Sequence, residues 1–211
     1  MPHYDQHEFI EAALRTVRGE VDRLVIVDDG SPTPYKGSDI YIEQNQGTAD
    51  AINRGIGVLI EDFKPGWMTW VSADNVYRPN WTTRLLANTD DQTGAVYGGF
   101  TWDNGRQSRY YFVPHQKNRL INQEDCYYGP VFLIRREVWE KAGPHRGKIS
   151  HDYDHWLRVE EACWDLGLNI VGVDEDLCWY RAHDKRATVL RRDQYDAKHW
   201  QQEGRKRRGI A

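Results

Sequence analysis

Four short clusters hold the groups able to bind ions or move protons: Asp28-Asp29-Gly30-Ser31, Ser72-Ala73-Asp74-Asn75, His151-Asp152-Tyr153-Asp154 and Arg181-Ala182-His183. Carboxylates and imidazoles accept protons and ligate cations, and guanidiniums hold anions. Each cluster also has a plain structural explanation. Asp-Asp-Gly-Ser is a turn composition. Asp74-Asn75 can begin a loop, Asp152 can cap a helix, and His183 can be a satisfied surface histidine. Their joint placement singles them out. Three follow an apolar run and one opens a helix. In open α/β sheets, ligands bind beyond the carboxyl ends of strands.

The surrounding pattern predicts those strands. RLVIVD (23–28) is a short apolar run ending in acid, which suits a buried parallel strand. SDIYIEQ (38–44) alternates and predicts a second strand, and MTWVSA (68–73) a third. A helix is predicted over 6–18, with Phe9, Ile10, Ala13, Leu14 and Val17 on one face. Another spans 48–60, with Ile52, Ile56, Leu59 and Ile60 inward, and Pro65-Gly66 breaks it. Pro79 opens a helix to about residue 88. Further strands are predicted at 94–100, 108–114, 131–136, 169–174 and 177–182, with helices at 137–142 and 151–166. The last helix puts Trp156, Val159, Cys163 and Leu166 on one stripe. No apolar run precedes the first helix. The strand that normally opens a βα unit is therefore either missing or begun part-way at Met1-Pro2-His3-Tyr4. The order predicts one α/β domain over 1–186: a Rossmann-like three-layer fold with a mixed, mostly parallel central sheet flanked by helices, followed by a basic C-terminal helix or tail at 187–211.

A chain of 211 residues, 39% hydrophobic and 28% charged, buries a sizeable core and is not disordered throughout. For any one of its nine Trp and twelve Tyr, packing is the default role and stacking on a sugar face the alternative. The net charge of −4 is uneven: residues 181–211 hold ten Lys or Arg against four Asp or Glu, a local +6, leaving −10 on the rest. Arg205-Lys206-Arg207-Arg208, between Gly204 and Gly209, predicts a solvated tail or a linker to a further domain. The alternative is contact with a phosphate or an acidic membrane surface. No nucleic-acid partner is expected. Cys126, Cys163 and Cys178 show no zinc spacing and fit reduced thiols. No apolar stretch reaches the roughly 18–20 residues of a membrane span, and no signal-peptide pattern opens the chain. The expectation is a cytoplasmic protein, soluble or peripheral to a membrane.

Taken in order, the motifs resemble family-2 glycosyltransferases of the GT-A fold. The pieces are Pro2-His3-Tyr4-Asp5, VIVDDGS (25–31), NQGTADAINRGI (45–56), TWVSADNVYRPNW (69–81), GPVFLIRREVWEKAG (129–143), HDYDHWLR (151–158) and WYRAH (179–183), together covering about residues 2–186. The resemblance implies a nucleotide-binding half over about 1–90 and an acceptor-binding half over about 91–186. It implies that Pro2, Tyr4, Asp28 and Asp29 hold the nucleotide base, and that Asn45 and Gly47 form a turn that lets the backbone approach the nucleotide. Asp29 could accept from the N3–H of uracil, so a UDP-sugar donor is favoured and a dTDP-sugar next.

Ser72-Ala73-Asp74 falls where the family usually has Asp-x-Asp, so only Asp74 of the two acids remains. The resemblance implies that Asp74 binds a divalent ion bridging the phosphates, Mn²⁺ or Mg²⁺. His183 matches a late histidine able to join it, which favours Mn²⁺. Asp152 matches the catalytic acid of an inverting transfer, where Glu-Asp is usual and this chain has His151-Asp152. It would take the proton of the attacking acceptor hydroxyl. Arg181 and Arg186 are candidate diphosphate partners, and Trp102, Trp156 and Trp179 candidate walls of an acceptor site for a glycan or glycoconjugate. A nucleotidyltransferase would need a Gly-rich loop with Arg and Lys near the first strand, and an NAD enzyme a G-x-G-x-x-G there. Neither is present. The rival from another class is a non-catalytic nucleotide- or carbohydrate-binding module on the same fold.

Overall fold

The computed structural model describes residues 1–123, 126–147, 150–184 and 197–210. The first half contains β1 (Pro2–His3), α1 (His7–Val17), β2 (Val27–Asp28), β3 (Ile40–Tyr41) and α2 (Thr48–Val58). A π-helical turn, Leu59–Phe63, prolongs α2 and ends at Lys64 in the left-handed region, just before Pro65. Then come β4 (Trp67–Met68), β5 (Val76–Tyr77) and α3 (Trp81–Leu86). The second half contains β6 (Thr93–Asp103), β7 (Ser108–Tyr111), β8 (Phe132–Arg135), α4 (Arg136–Ala142), α5 (His151–Asp165), β9 (Asn169–Arg181) and α6 (Ala197–Arg208).

The opening strand exists. Pro2 and His3 pair in parallel with Val27 and Asp28, which pair in parallel with Ile40 and Tyr41. Two residues, one of them proline, leave no apolar run to read. Proline is tolerated because β1 is an edge strand. The ladder is held instead by Val27 N–H donating to the Met1 carbonyl at 2.9 Å and Asp29 N–H to the His3 carbonyl at 2.8 Å.

The second sheet runs β4-β8-β6-β9-β5, with β7 on β6. Its one parallel pair is β6–β9, and β4–β8, β6–β8, β6–β7 and β5–β9 are antiparallel. Parallel pairing is thus confined to the first three strands and the central pair, a smaller share than the sequence pattern suggests. β6 and β9 are parallel because α4 and α5 supply the crossover between them. The runs 169–174 and 177–182 join into the single β9. Glu175 and Asp176, which look like an interruption, stay in the strand by binding Arg84 at 2.6 Å and Arg78 at 2.6 Å.

Helices cover both faces of the second sheet. Ala95, Tyr97, Phe132 and Ile134 point to one apolar cluster with α2, α4 and α5. Val96, Leu133, Val173 and Leu177 point to another with α1 and α3. On α1 the residues at helical spacing, Ile10, Ala13, Leu14 and Val17, are all buried. Each large apolar side chain so buried contributes roughly 1.5–3 kcal/mol. Leu166 departs from the expected stripe and is exposed. Trp156 is no acceptor wall: it is 2% exposed and stacked on Tyr128 at 3.9 Å, because the helical stripe that carries it faces the core. The three cysteines are free thiols, and burial pushes Cys163 up to about 12.

The basic run 205–208 is not a solvated tail. It lies in α6, whose Gly204 is buried against Leu157 and Ile121. Arg208, with its side chain 5% exposed, donates to Glu160 at 2.9 Å, to Glu161 at 3.0 Å and to the Leu157 carbonyl at 2.9 Å. Glu160 is fully buried and also accepts from Tyr128 at 2.5 Å. Burial raises the pKa of Glu160, against the pull of Tyr128 and Arg208. Sequence shows the charges but not the buried acid awaiting them. Removing one partner of a buried pair costs about 3–5 kcal/mol. Arg208→Ala should therefore lower unfolding free energy by about 3 kcal/mol, the low end because Tyr128 still donates. A urea denaturation midpoint unchanged from the parent chain would show that α6 is not held this way.

Candidate active site

The carboxyl ends of β1, β2 and β3 converge on one loop cluster. Asp28, fully buried, accepts Ser31 N–H at 2.9 Å and Tyr35 N–H at 2.7 Å. Burial pushes its pKa up, but these hydrogen bonds outweigh it and hold the carboxyl below its ordinary value. Asp29, 3% exposed, accepts Gln46 N–H and Gly47 N–H, each at 2.8 Å, one on each oxygen. It thereby fixes the loop of Asn45 and Gly47. Gly30 is required between them: its φ is +77°, and a Cβ would lie 2.6 Å from the Asn45 nitrogen. Around this buried framework, Asn45 and Tyr4 are exposed and Pro2 half-buried.

The second group forms where the chain leaves β4 and β9. Asp74 Oδ2 lies 3.0 Å from His183 Nε2 and accepts from Gln6 Nε2 at 3.2 Å. Phe9 covers the His183 ring at 4.7 Å. The Arg181 guanidinium sits 4.6 Å over Phe9 and 4.9 Å over Trp179. The placement is set by β5–β9 pairing, which brings Arg181 N–H to the buried Asn75 side chain at 3.3 Å. Ser72 and Ala73 precede Asp74; Ala73 is buried, and Ser72 N–H donates to the Tyr77 hydroxyl at 3.3 Å.

Asp74 and His183 offer one oxygen and one nitrogen 3.0 Å apart. Two neighbouring donors on an octahedral ion with bonds of about 2.1 Å stand about 3.0 Å apart, so the pair fits two positions of such an ion. Among the described residues no group of three or more His, Cys, Asp or Glu able to hold a metal is found. Among the described residues, Asp74 and His183 are the pair that could contribute to a metal site.

Asp152 lies in the first turn of α5, half-buried, with Oδ1 accepting Tyr153 N–H at 2.9 Å. Its neighbour Asp154 is fully buried between Arg146 at 2.6 Å and Arg158 at 2.9 Å. Of the two acids in this turn, only Asp152 has side-chain access to solvent. The His151 ring lies 5.9 Å from Trp70, and four residues on from Trp70 stands Asp74. Four residues span at most about 14 Å, so one short segment connects the start of α5 to the Asp74–His183 pair. Trp102 and Trp179 are half-buried. Arg186 lies outside the described residues.

Gln6, Phe9 and Trp70 escape the sequence reading as site residues. Phe9 shows only as one apolar residue of α1, and Gln6 as an ordinary polar residue before it. Their partners are 68 positions away for Gln6 and beyond any local pattern for Phe9.

A family model, Glycosyl transferase family 2, matches residues 1–143. An uncharacterized glycosyltransferase of Rickettsia prowazekii (strain Madrid E) is 26% identical over 72% of this chain and 53% of its own length. The chain thus spans about half the length of that curated relative. Two solved structures share the fold. Glucosyl-3-phosphoglycerate synthase from Mycobacterium tuberculosis, in complex with phosphoglyceric acid, has a TM-score of 0.62 at 14% identity, covering 100% of this chain and 79% of that one. GalNAc-T7 with UDP, GalNAc and Mn²⁺ has a TM-score of 0.57 at 13% identity, covering 86% of this chain and 43% of that one. Both are GT-A proteins, and the three-layer arrangement here is that fold.

Because each Asp29 oxygen satisfies one backbone N–H, Asp29→Ala orphans both, at about 1–3 kcal/mol each. Asp29→Asn, with one acceptor left, should cost about half as much. Equal unfolding free energies for the two variants and the parent, measured in urea, would contradict this role.

Proposed function

The chain belongs to glycosyl transferase family 2, and we propose that it moves a hexose or deoxyhexose from a nucleotide-diphosphate sugar to a hydroxyl of a glycan or glycoconjugate. The observation that carries this reading is the contact of Asp74 with His183 across 109 residues, with Arg181 beside it. Pro2 and Tyr4 flank the nucleotide base, and Asn45 and Gly47 bring backbone close to it. A carboxylate oxygen accepts more than one hydrogen bond. Asp29 can therefore hold the Gln46–Gly47 loop and still take the N3–H of uracil. Uridine is the favoured base and thymidine the next, a choice supported by the UDP in the GalNAc-T7 structure.

Asp74 and His183 would hold Mn²⁺, or Mg²⁺, against the diphosphate, with Ser72 and Ala73 as the backbone leading to them. A divalent ion bound there supplies positive charge where the leaving diphosphate becomes more negative. Arg181 adds a planar pair of donors for phosphate oxygens. From the other side Asp152 takes the proton of the acceptor hydroxyl as its oxygen attacks C1. The bond to the diphosphate breaks on the opposite face, so the anomeric configuration inverts. Half-buried Trp102 and Trp179 stand as walls for the acceptor. A binding-only module on this fold, favoured by the two-residue metal set, would instead titrate nucleotide with no turnover.

Asp152→Asn should lower transfer by about 10³-fold or more while UDP binding with Mn²⁺ stays as in the parent. Comparable transfer rates in the two proteins would remove Asp152 as the base. Asp74→Ala should weaken UDP binding in Mn²⁺ by about tenfold or more in calorimetry and leave binding in chelator unchanged. Superimposable Mn²⁺ titrations would remove Asp74 as a ligand.

A further inference from the structure

Directly before Asp152 stands His151, and its ring belongs to a cluster of three buried imidazoles. His151 Nδ1 lies 3.0 Å from His145 Nδ1. His145 stacks on His155 with centroids 3.9 Å apart and planes 19° from parallel. Asn53 of α2 grips the His145 backbone twice, accepting its N–H at 2.8 Å and donating to its carbonyl at 2.9 Å. Trp70 covers His151 at 5.9 Å, and Trp139 covers His145 at 5.8 Å and His155 at 4.8 Å. The three histidines are 4%, 8% and 1% exposed for 145, 151 and 155. A chain of contacts therefore runs from α2 through His145 to the first residue of α5.

Two Nδ1 atoms at this distance form a hydrogen bond only when one carries a hydrogen and the other a lone pair. The neutral pair meets that condition with one ring as the Nδ1–H tautomer and the other as Nε2–H. A single imidazolium would still donate its Nδ1–H to the other ring, whereas protonating both rings would set two N–H groups against each other. The surroundings oppose it. Burial keeps His145 neutral, reinforced by His155, His151 and Arg158. Burial also keeps His151 neutral, while Asp152 and Asp154 pull the other way. Asp154 is already held by Arg146 and Arg158. His151 further sits at a helix N-terminus, where a cation is disfavoured.

We propose that His145 and His151 share one hydrogen between their Nδ1 atoms and act together as positioning residues for Asp152, tying the first turn of α5 to α2 and releasing it when both rings are protonated. The role rests on Asp152 being the base. Both rings are held below the ordinary histidine value, so the folded chain binds fewer protons than the unfolded chain below about pH 6.5. The stability the neutral pair contributes is complete above that value and declines as pH falls beneath it, and the tie in the folded chain is released at the lower pH where both rings are protonated.

The test uses the full chain with ¹⁵N-labelled histidine, and two variants. His145→Phe keeps a ring on His155 and removes the partner of His151. His145→Asn places an amide near the Nδ1 position and keeps a hydrogen-bonding group that does not titrate. Nuclear magnetic resonance of the parent should show one Nδ1–H and one Nε2–H tautomer for residues 145 and 151 above about pH 6.5, with both rings protonating below the ordinary histidine range. Turnover is read as nucleotide release from a panel of UDP- and dTDP-hexoses with acceptor, against pH. His145→Phe should lose about tenfold in rate with UDP–Mn²⁺ binding unchanged, and His145→Asn should restore most of the rate and shift the acid limb to lower pH. Independent titration of the two rings near pH 6.5 overturns the shared proton. A parental pH profile in both variants overturns the positioning role. Should His145→Phe fail to fold, the Asn variant and the parent spectra still decide. A parent that binds UDP but turns over no donor removes the base assignment and this role with it, while the spectra separately report the shared proton.

Discussion

The pairing of β9 with β6 on one side and β5 on the other is the constraint on which the site depends. β9 runs parallel to β6 from Asn169 to Arg181, and its far end pairs antiparallel with Val76 and Tyr77. A strand anchored on both edges cannot shift register by one residue without turning every side chain to the wrong face. That register brings Arg181 to Asn75 and then His183 to Asp74. A ligand-sized cluster thus arises from residues 109 positions apart with no local turn to hold them.

Burial sorts the acidic residues of the strand and helix ends into two kinds. Asp28, Asp29 and Asp154 are buried, and their oxygens are occupied by backbone N–H groups or by arginines. Their work is to fix loops. Asp74 and Asp152 keep partial access to solvent. The distinction follows from desolvation: a buried carboxylate is tolerated only when hydrogen-bonded, and once so bonded it is poorly placed to take a proton from a substrate.

The same rule governs the C-terminal helix. Glu160 and Asp154 lie on one helix, α5, and each takes arginine from outside that helix: Arg208 of α6 and Arg146 of the preceding loop. The basic end of the chain is therefore matched to acids inside the fold. α5 is consequently the element on which core packing, buried ion pairs and Asp152 all converge.

Local chemistry was enough to mark the helices of both halves, the acidic strand ends and the turn at Gly30, because apolar periodicity and glycine at positive φ are local properties. It also singled out Asp74, Asp152 and His183 as candidates, since each stands at the end of an apolar run or the start of a helix. It left β1 undecided, because its two residues carry no pattern, and it split β9 at Glu175-Asp176, whose charges are paid for by Arg84 and Arg78 across the fold. Trp156 and the basic run 205–208 were misread for a shared reason: an aromatic or a charge looks alike in sequence whether it faces solvent or a buried partner. The tertiary structure alone decided which carboxylates are occupied, which rings are core and which histidines meet. Those outcomes depend on contacts between distant segments, and a contact has no signature in the chain until the chain has folded.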